Sequence, residues 1–336
     1  MTTRVAVVGC GDVSTVHLDA IAAIDGIELV AVCDTDPDVL ECTATARGVP
    51  GFTDHRALLA GAAPDAVHVC TPHHQHVEVT LDLLESGVRV LLEKPLAHTV
   101  EEAGRIVAAA ERTGTRIGVC LQNRYNETSR AVRRILGSGE LGAVRGATAT
   151  VLWTRDADYY RAKPWRGRWA TAGGGLLINQ AIHTLDLVEW FLGEVVEVSG
   201  SASTRLLGDV IEVEDTAELL LSHAGGARSV LFGSLANVVH APVTVDVTAE
   251  HGSLSIRGDL TVSHADGRTE TVTERRASSN GRSYWGVAHE ALIRDFHSGP
   301  PDEPFWIGPR EAMRSLRVLT DVYRRSRLGP AHPLNV

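Results

Sequence analysis

One lysine of this sequence has a position at which its charge could do chemistry. Lys94 follows a nearly continuous apolar run, Val88–Leu92, that is typical of a buried parallel strand. It would then lie at the carboxyl edge of the sheet, where ligands bind and where an ammonium group can polarise an oxygen atom. The alternative is a surface lysine at a strand end. Pro95 disfavours that alternative, because it pushes Lys94 toward an extended conformation.

A glycine-rich turn near the start of the chain could hold a pyrophosphate. The segment VAVVGCGDVSTVHLDAI places Gly9 and Gly11 between a predicted strand and a predicted helix, with Ser14 at the third glycine position of G-x-G-x-x-G. The two glycines allow a tight turn and a close approach of backbone amides at the helix start. We therefore expect Asp12 and Val13, together with the two glycines, to bind a dinucleotide.

Asp34 indicates which dinucleotide this is. It ends the second predicted strand, about twenty residues beyond the turn, where an acidic group can bond both ribose hydroxyls. Its charge would repel the additional phosphate of NADP, and Thr35 and Asp36 supply no compensating cation. Alone, Asp34 could be an ordinary turn-capping residue. Combined with the glycine turn, it favours NAD over NADP.

The elements that must position these residues predict an α/β fold. From residue 4 to about residue 120, short β-branched runs alternate with amphipathic stretches. The runs are VAVVG, ELVAVCD, AVHVCTP, VRVLLEKP and RIGVC. This pattern predicts an N-terminal Rossmann domain over residues 1–122, with a doubly wound parallel sheet that binds NAD.

The remainder of the chain predicts a second α/β domain over residues 123–336, for substrate binding and oligomerisation. In chain order we expect a helix over 130–136, a strand over 144–153, a helix from about 183, a large open mixed or antiparallel sheet over 195–275, and helices over 286–297 and 309–325. The last two helices should pack on one face of this sheet.

Composition limits the partners. A chain of 336 residues exceeds the usual size of one core, so two domains sharing a cleft are expected. The formal net charge of -10 leaves no basic surface for nucleic acid or for an anionic membrane. A signal-like start and a membrane-length apolar run are both missing from the sequence, so we expect a cytoplasmic protein.

The cysteine and histidine patterns predict no metal site. The five cysteines are odd in number and lack CxxC spacing, so we expect reduced, mostly buried thiols. His73, His74 and His76 crowd a predicted helix start, where histidines are more often exposed or capping residues than ligands.

Five motifs, in this order, resemble the Gfo/Idh/MocA family of oxidoreductases. They are GCGDVSTVH, CTPHHQH, LLEKPLA, QNRY and GGGLLINQAIHTLDLVEWFLG. The resemblance covers nearly the whole chain. It implies an NAD-binding Rossmann domain, a second domain whose open sheet forms homodimers or homotetramers, and hydride transfer between nicotinamide and a hydroxyl-bearing carbon of a sugar or inositol.

The resemblance also implies catalytic roles. Lys94 would stabilise the alkoxide, and His183 would be the general base, a role that suits imidazole because it titrates near neutral pH. Many relatives carry an aspartate where this chain has Asn179, which can hydrogen-bond but cannot titrate. Without the resemblance, His183 between Ile182 and Leu185 would more readily be interpreted as a core residue.

Other residues of the matching motifs are expected beside the cofactor. Thr71, Pro72 and His76 match the family's Thr-Pro…His motif, and Gln122 should reach the nicotinamide end. The complete predicted cofactor set is Gly9, Gly11, Asp12, Val13, Asp34, Thr71, Pro72, His76, Glu93, Lys94 and Gln122.

The stretch from Trp153 to Trp169 concentrates aromatic and cationic residues. Aromatic faces stack on sugar rings, and guanidinium groups bind hydroxyls, carboxylates or phosphates. The stretch is therefore either the mouth for a sugar-like substrate, including an anionic or nucleotide-linked one, or a packed loop at an interface. The predicted substrate set is Lys94, Arg124, Tyr160, Trp165, Arg166, Asn179 and His183.

Two other functions stay open at this point. An NAD-dependent glycoside hydrolase that acts by transient oxidation would use the same lysine and histidine. A non-catalytic NAD-binding regulator would have no evident need for either, so Lys94 and His183 argue against it.

Overall fold

The computed structural model describes residues 2–275 and 286–329. These residues form two compact units: 2–122 with 286–313, and 123–275 with 314–329. The first unit includes residues 286–313, which the sequence analysis assigned to the second domain.

The first unit contains a six-stranded parallel sheet. Its strands are β1 (Thr3–Val8), β2 (Ile27–Cys33), β3 (Gly51–Phe52), β4 (Ala66–Val69), β5 (Arg89–Leu92) and β6 (Ile117–Val119). Their spatial order, β3-β2-β1-β4-β5-β6, is that of a Rossmann fold, so the predicted doubly wound sheet is confirmed. The β3 strand was not predicted, because two residues carry no periodicity.

The second unit contains an eight-stranded sheet. Its strands are β7 (Val144–Leu152), β8 (Val195–Ser203), β9 (Thr216–His223), β10 (Arg228–Ser234), β11 (Thr244–Ala249), β12 (Gly252–Arg257), β13 (Asp259–His264) and β14 (Thr269–Val272). Their order is β14-β13-β12-β11-β7-β10-β9-β8. The β7 and β10 strands are parallel and the other neighbours antiparallel, which confirms a mixed sheet.

Both units also contain helices. They are α1 (Ser14–Ala23), α2 (Pro37–Arg47), α3 (His55–Ala62), α4 (His76–Glu85), α5 (Val100–Thr113), α6 (Glu127–Ser138), α7 (Ala157–Arg161), α8 (Trp169–Ala172), α9 (Ile182–Leu192), α10 (Gly286–Ser298) and α11 (Pro309–Arg325). Every helix among the described residues is too short or too polar to cross a lipid bilayer.

The predicted position of α10 was wrong. It lies against α1 in the first unit, with Ala288, Leu292 and Phe296 buried, and not on the second sheet. The reason is that an amphipathic pattern shows which face of a helix is buried but not which element covers it. The following helix, α11, continues from the first unit into the second after Met313.

Candidate active site

The glycine turn between β1 and α1 has the shape that a dinucleotide needs. Gly9 has a φ of +92°, and a Cβ there would lie 2.7 Å from the carbonyl carbon of Cys70, so only glycine fits. A Cβ at Gly11 would meet nothing within 4 Å, which leaves open space beside the turn. Ser14 is buried and donates through Oγ to the Gly11 carbonyl oxygen at 2.7 Å. Its small side chain therefore allows the helix to pack closely.

The structure places Asp34 beside this turn. Its Oδ2 atom accepts from the amide of Cys10 at 2.7 Å, and its Oδ1 atom accepts from the amide of Asp36 at 2.9 Å. These bonds fix a partly exposed carboxylate at the end of β2. Each carboxylate oxygen keeps a further acceptor site. Asp34 can therefore still accept bonds from ribose hydroxyls.

Two predicted cofactor residues carry unsatisfied buried atoms. Among the residues that the structure describes, Thr71 Oγ1 and Gln122 Oε1 are buried and have no hydrogen-bond partner. Thr71 follows β4 and Gln122 follows β6, at the carboxyl edge of the parallel sheet, as does the partly exposed Pro72. Because unsatisfied buried polar atoms are costly, a polar ligand at this edge is the natural partner. The residues present therefore fit a bound dinucleotide.

His76 supports this edge from within and does not face a ligand. Its side chain is fully buried, with Nδ1 at 2.8 Å from the Pro95 carbonyl oxygen and Nε2 at 2.9 Å from that of Thr71. Burial lowers the pKa of His76 to about 4, although both backbone contacts act in the opposite direction. We therefore correct its assignment: a neutral His76 links two loops. The neighbouring His73 is also buried, contrary to expectation.

Lys94 is presented by an otherwise buried segment. In residues 90–97, all of them described, every residue except Lys94 is buried. Its backbone amide donates to Glu93 Oε2 at 3.2 Å. The chain has only two lysines, Lys94 and Lys163, and carries its other basic charges on arginine. Lys94 thus follows the end of β5 on a partly exposed position, as the sequence predicted.

Glu93 is not available to a cofactor. It is 4% exposed, and its Oε1 atom lies 3.0 Å from His17 Nε2 and 3.3 Å from His289 Nε2. Burial acts to raise the pKa of Glu93, but the hydrogen bonds from both histidines outweigh it and hold this pKa well below its usual range. We correct its assignment from a cofactor ligand to a buried anion behind Lys94. Neither histidine was predictable from the sequence, because both lie far from Glu93 along the chain.

In the second unit, Asn179 and His183 are presented in the same way. A π-helical turn, Leu177–Ala181, leads directly into α9. In residues 174–189, all of them described, Asn179 and His183 are the two that are partly exposed. Residues four apart lie on one face of a helix, and π-turns are frequent at functional sites. His183 is therefore not a fully buried core residue.

Glu214 anchors this turn, and the sequence analysis missed it. Its Oε2 atom accepts from the Gly175 amide, and its Oε1 atom accepts from the Leu177 amide, both at 2.8 Å. The Tyr323 hydroxyl donates to Oε1 at 2.9 Å. A Cβ at Gly174 would overlap the Tyr323 side chain, which explains a glycine of the GGG run. Burial raises the pKa of Glu214 to about 7, although all three bonds act to lower it.

Arg124, a predicted substrate residue, lies in a buried ion pair. Its Nε and Nη2 atoms donate to the two carboxylate oxygens of Asp186 at 2.8 and 2.6 Å, and both side chains are at most 3% exposed. The guanidinium carbon also lies 5.4 Å from the ring centre of Trp190. This arrangement removes Arg124 from direct substrate contact, so its assignment is corrected to a role in packing.

The stretch 153–169 contains both buried and partly exposed aromatic and cationic residues. Tyr160 and Trp169 are buried, and Trp169 Nε1 donates to the Glu212 carbonyl oxygen at 2.9 Å, so Tyr160 is corrected to a packing residue. In contrast, Arg166 is partly exposed and lies 4.5 Å from the ring centre of Tyr159 and 5.8 Å from that of Trp165. One half of the stretch packs, and the other half presents cations and aromatic rings.

Comparison with known proteins agrees with the motifs. The model of the Gfo/Idh/MocA oxidoreductase family, with its NAD-binding Rossmann fold, matches residues 3–121, and the model of the family's C-terminal domain matches residues 129–255. The D-apiose dehydrogenase of Paraburkholderia graminis is 30% identical over 280 residues, which are 80% of this chain and 71% of that protein. The inositol 2-dehydrogenase of Rhizobium meliloti is 26% identical over 272 residues, 78% of each chain.

A solved structure extends the match to the whole fold. The WlbA dehydrogenase of Bordetella pertussis, in complex with NADH and UDP-GlcNAcA, has a TM-score of 0.82 and 29% sequence identity, with 97% of each chain covered. These matches confirm the family, the enzyme class and the cofactor that the motifs predicted. The chain therefore belongs to the Gfo/Idh/MocA family of NAD-dependent oxidoreductases.

Proposed function

We propose that the protein transfers a hydride between NAD and a secondary hydroxyl carbon of a sugar, a sugar derivative or an inositol. One observation carries the proposal: in two long buried stretches within or around the matching motifs, the partly exposed residues are those that this chemistry needs. These are Lys94 in residues 90–97, and Asn179 and His183 in residues 174–189. The named activities of the relatives support the same substrate class.

The residues divide the chemistry between them. NAD, when bound, accepts or returns the hydride. The Lys94 ammonium stabilises negative charge that develops on the substrate oxygen. His183 takes the hydroxyl proton, because a neutral imidazole is an effective base near neutral pH. Asn179 orients the substrate by hydrogen bonds and holds no exchangeable charge.

We propose further that the substrate is anionic or nucleotide-linked. Arg155 lies 5.3 Å from the ring centre of Trp153 and 4.8 Å from that of Tyr159, and Arg166 contacts the same tyrosine. Such alternating cations and rings suit a ligand with a carboxylate or phosphate next to a sugar or a base. The relative crystallised with UDP-GlcNAcA binds a molecule of this chemical type.

The proposed assembly is a cytoplasmic homodimer or homotetramer. Val230 and Phe232 on β10 are exposed, and Leu220 on β9 lies opposite Val230 and is exposed as well. Apolar side chains grouped on an open sheet face favour burial against a second copy.

The test is NADH formation with NAD across inositols, aldoses, sugar acids, sugar phosphates and nucleotide sugars. Lys94→Ala should lower kcat at least about 100-fold while NAD still binds by calorimetry, because the lysine acts on developing charge. Arg166→Ala should raise KM for anionic substrates more than for neutral ones. Silence of the wild type across the panel, with NAD bound tightly, would overturn the proposal in favour of the transient-oxidation hydrolase or the non-catalytic NAD-binding regulator.

A further inference from the structure

A row of buried histidines continues from Glu93 through the first unit. His17 Nε2 lies 3.0 Å from Glu93 Oε1, and His17 Nδ1 lies 3.0 Å from His68 Nδ1. On its other side, His68 Nε2 lies 2.9 Å from His297 Nε2. His17 and His68 are fully buried, and His297 is partly buried. Four side chains from α1, β4, α10 and the end of β5 thus form one unbroken chain of polar contacts.

Each contact between two ring nitrogens requires one N–H and one bare nitrogen. A carboxylate at Glu93 only accepts, so His17 must carry its proton on Nε2 and leave Nδ1 bare. His68 must then carry its proton on Nδ1, and His297 must carry its proton on Nε2. The charge of Glu93 therefore determines the tautomer of all three neutral imidazoles.

The His297 end of the row agrees with these proton positions. Among the described residues, His297 Nδ1 is buried and has no hydrogen-bond partner. In the tautomers derived above, this atom is a bare nitrogen and not an N–H group. Buried N–H groups without an acceptor are rare in folded proteins. The reverse direction would bury an unsatisfied N–H at His297.

The surroundings keep the three rings neutral. Burial lowers the pKa of His17 and of His68, and it lowers the pKa of His297 to about 3. The positive charges of Arg89 and Arg116 also lower the pKa of His297. His289 donates a second hydrogen bond to the same oxygen of Glu93, Oε1. The negative charge of Glu93 is thus held by N–H groups of His17 and His289.

We propose that His17, His68 and His297 are positioning residues for Lys94, acting through Glu93. The row of histidines fixes the Glu93 carboxylate, and Glu93 Oε2 accepts from the Lys94 backbone amide. Without the hydrogen bonds of this row, Glu93 could rotate or gain a proton, and the Lys94 backbone amide would lose its acceptor. The role of Lys94 rests on the proposed function, whereas the proton arrangement does not.

A bound metal is the competing explanation for part of this cluster. One ligand atom each of His17, Glu93 and His289 lie within 4.8 Å of one another, close enough to hold an ion. A metal on His17 Nε2 would force the His17 proton to Nδ1 and reverse every tautomer along the chain. The hydrogen-bond lengths along the row, and the lack of a partner at His297 Nδ1, favour hydrogen bonds over a bound metal ion. The two explanations therefore predict opposite proton positions.

The first test is long-range ¹⁵N–¹H NMR of the protein labelled with ¹⁵N-histidine, with signals assigned by single histidine variants. We expect a proton on Nε2 of His17, on Nδ1 of His68 and on Nε2 of His297 from pH 6 to 8. His17 protonated on Nδ1, or a shift of its signals when zinc is added, would overturn the proposal. This readout needs no substrate, so it stands apart from any failure of the proposed function.

The second test compares two substitutions of one residue. Asn places an NH₂ group close to the position of imidazole Nδ1, so His68→Asn keeps a donor to His17, whereas His68→Leu removes it. We expect His68→Leu to lower kcat about 10- to 100-fold with little change in KM, through misplacement of Lys94. His68→Asn should restore most of kcat. Equal kcat in the two variants would overturn the positioning role.

A matched control comes from another histidine–carboxylate pair of the first unit. His55 Nε2 lies 2.7 Å from Asp82 Oδ2, between α3 and α4. His55→Leu removes a similar interaction without touching the chain at Glu93, so kcat should be unchanged. If His68→Leu does not fold, the wild-type tautomers and the His68→Asn variant still decide the question.

Discussion

Two buried carboxylates, one in each unit, have opposite electrostatic character. Glu93 lies behind Lys94 and is held as an anion, since its pKa is well below the usual range. Glu214 lies behind the turn that carries Asn179 and His183, yet burial raises its pKa to about 7. Both accept backbone amides of the segment that they support.

The difference lies in the donors. Two buried imidazole N–H groups outweigh the cost of burying Glu93, whereas two amides and one phenol do not outweigh it for Glu214. The balance of desolvation against hydrogen bonding decides whether a buried acid is a fixed charge or a titrating group. Glu93 should therefore stay charged near neutral pH, whereas Glu214 should titrate there.

Removal of the Glu214 anchor should have the largest effect on stability. Glu214→Ala leaves the Gly175 and Leu177 amides and the Tyr323 hydroxyl without their acceptor, at a cost of about 4 kcal/mol in the free energy of unfolding. Urea unfolding followed by circular dichroism measures this. Glu197→Ala, on the exposed side of β8, is the control and should stay within about 0.5 kcal/mol of wild type. A loss of less than 1 kcal/mol at Glu214 would show that the turn does not depend on it.

The pH dependence tests the contrast directly. Glu214 binds its proton more tightly in the folded protein than in the unfolded one, so its contribution is complete below about pH 4 and is lost as the pH rises to about 7. The loss is up to about 3 kcal/mol. Unfolding free energies of wild type and Glu214→Gln at pH 5 and pH 8 isolate this group, because Gln does not titrate. We expect wild type to lose stability relative to the variant at pH 8.

The same measurement on Glu93→Gln should show no dependence on pH. Glu93 is ionised throughout this range, so the difference between wild type and Glu93→Gln should not change with pH. If the two variants behaved alike, the contrast between the carboxylates would be wrong.

The sequence pointed to Glu93, although with a different role, and gave no sign of Glu214. Gly9, Gly11 and Asp34 were predictable because a short turn and one strand end place them together, whatever the rest of the chain does. Lys94 and His183 came from motifs of the same local kind. Glu214 and Tyr323 carry no such signal, since their contacts with the glycine run depend on long-range packing of β9 and α11.

Burial was the other property that the sequence did not show. Arg124 and Tyr160 were expected at the substrate, but the fold places them in the interior. Cations and aromatic rings suit an ion pair or a core as well as a ligand. Residue type alone therefore could not separate the two halves of the stretch 153–169.

The two glycines of the β1–α1 turn should have different roles, Gly9 in the fold and Gly11 in cofactor binding. Gly9→Ala would place a Cβ against the Cys70 backbone at a φ of +92°, and should destabilise the first unit by about 2 kcal/mol. Gly11→Ala meets open space, so the melting temperature should not change, while the Kd for NAD rises at least about tenfold. Thermal unfolding and calorimetry with NAD measure both. Equal effects of the two variants would mean that the open space beside Gly11 is not the cofactor site.

The smallest effect should come from one hydroxyl group behind Glu214. Tyr323→Phe removes a single donor to Oε1, which keeps the Leu177 amide, so we expect a loss of about 1 kcal/mol. Because the lost bond favours the charged carboxylate, the variant should also raise the pKa of Glu214 further. The pH-dependent loss of stability, measured as above, should then extend to higher pH than in wild type. A loss without that extension would mean that the hydroxyl contributes packing alone, and that burial and the two amides set the pKa of Glu214.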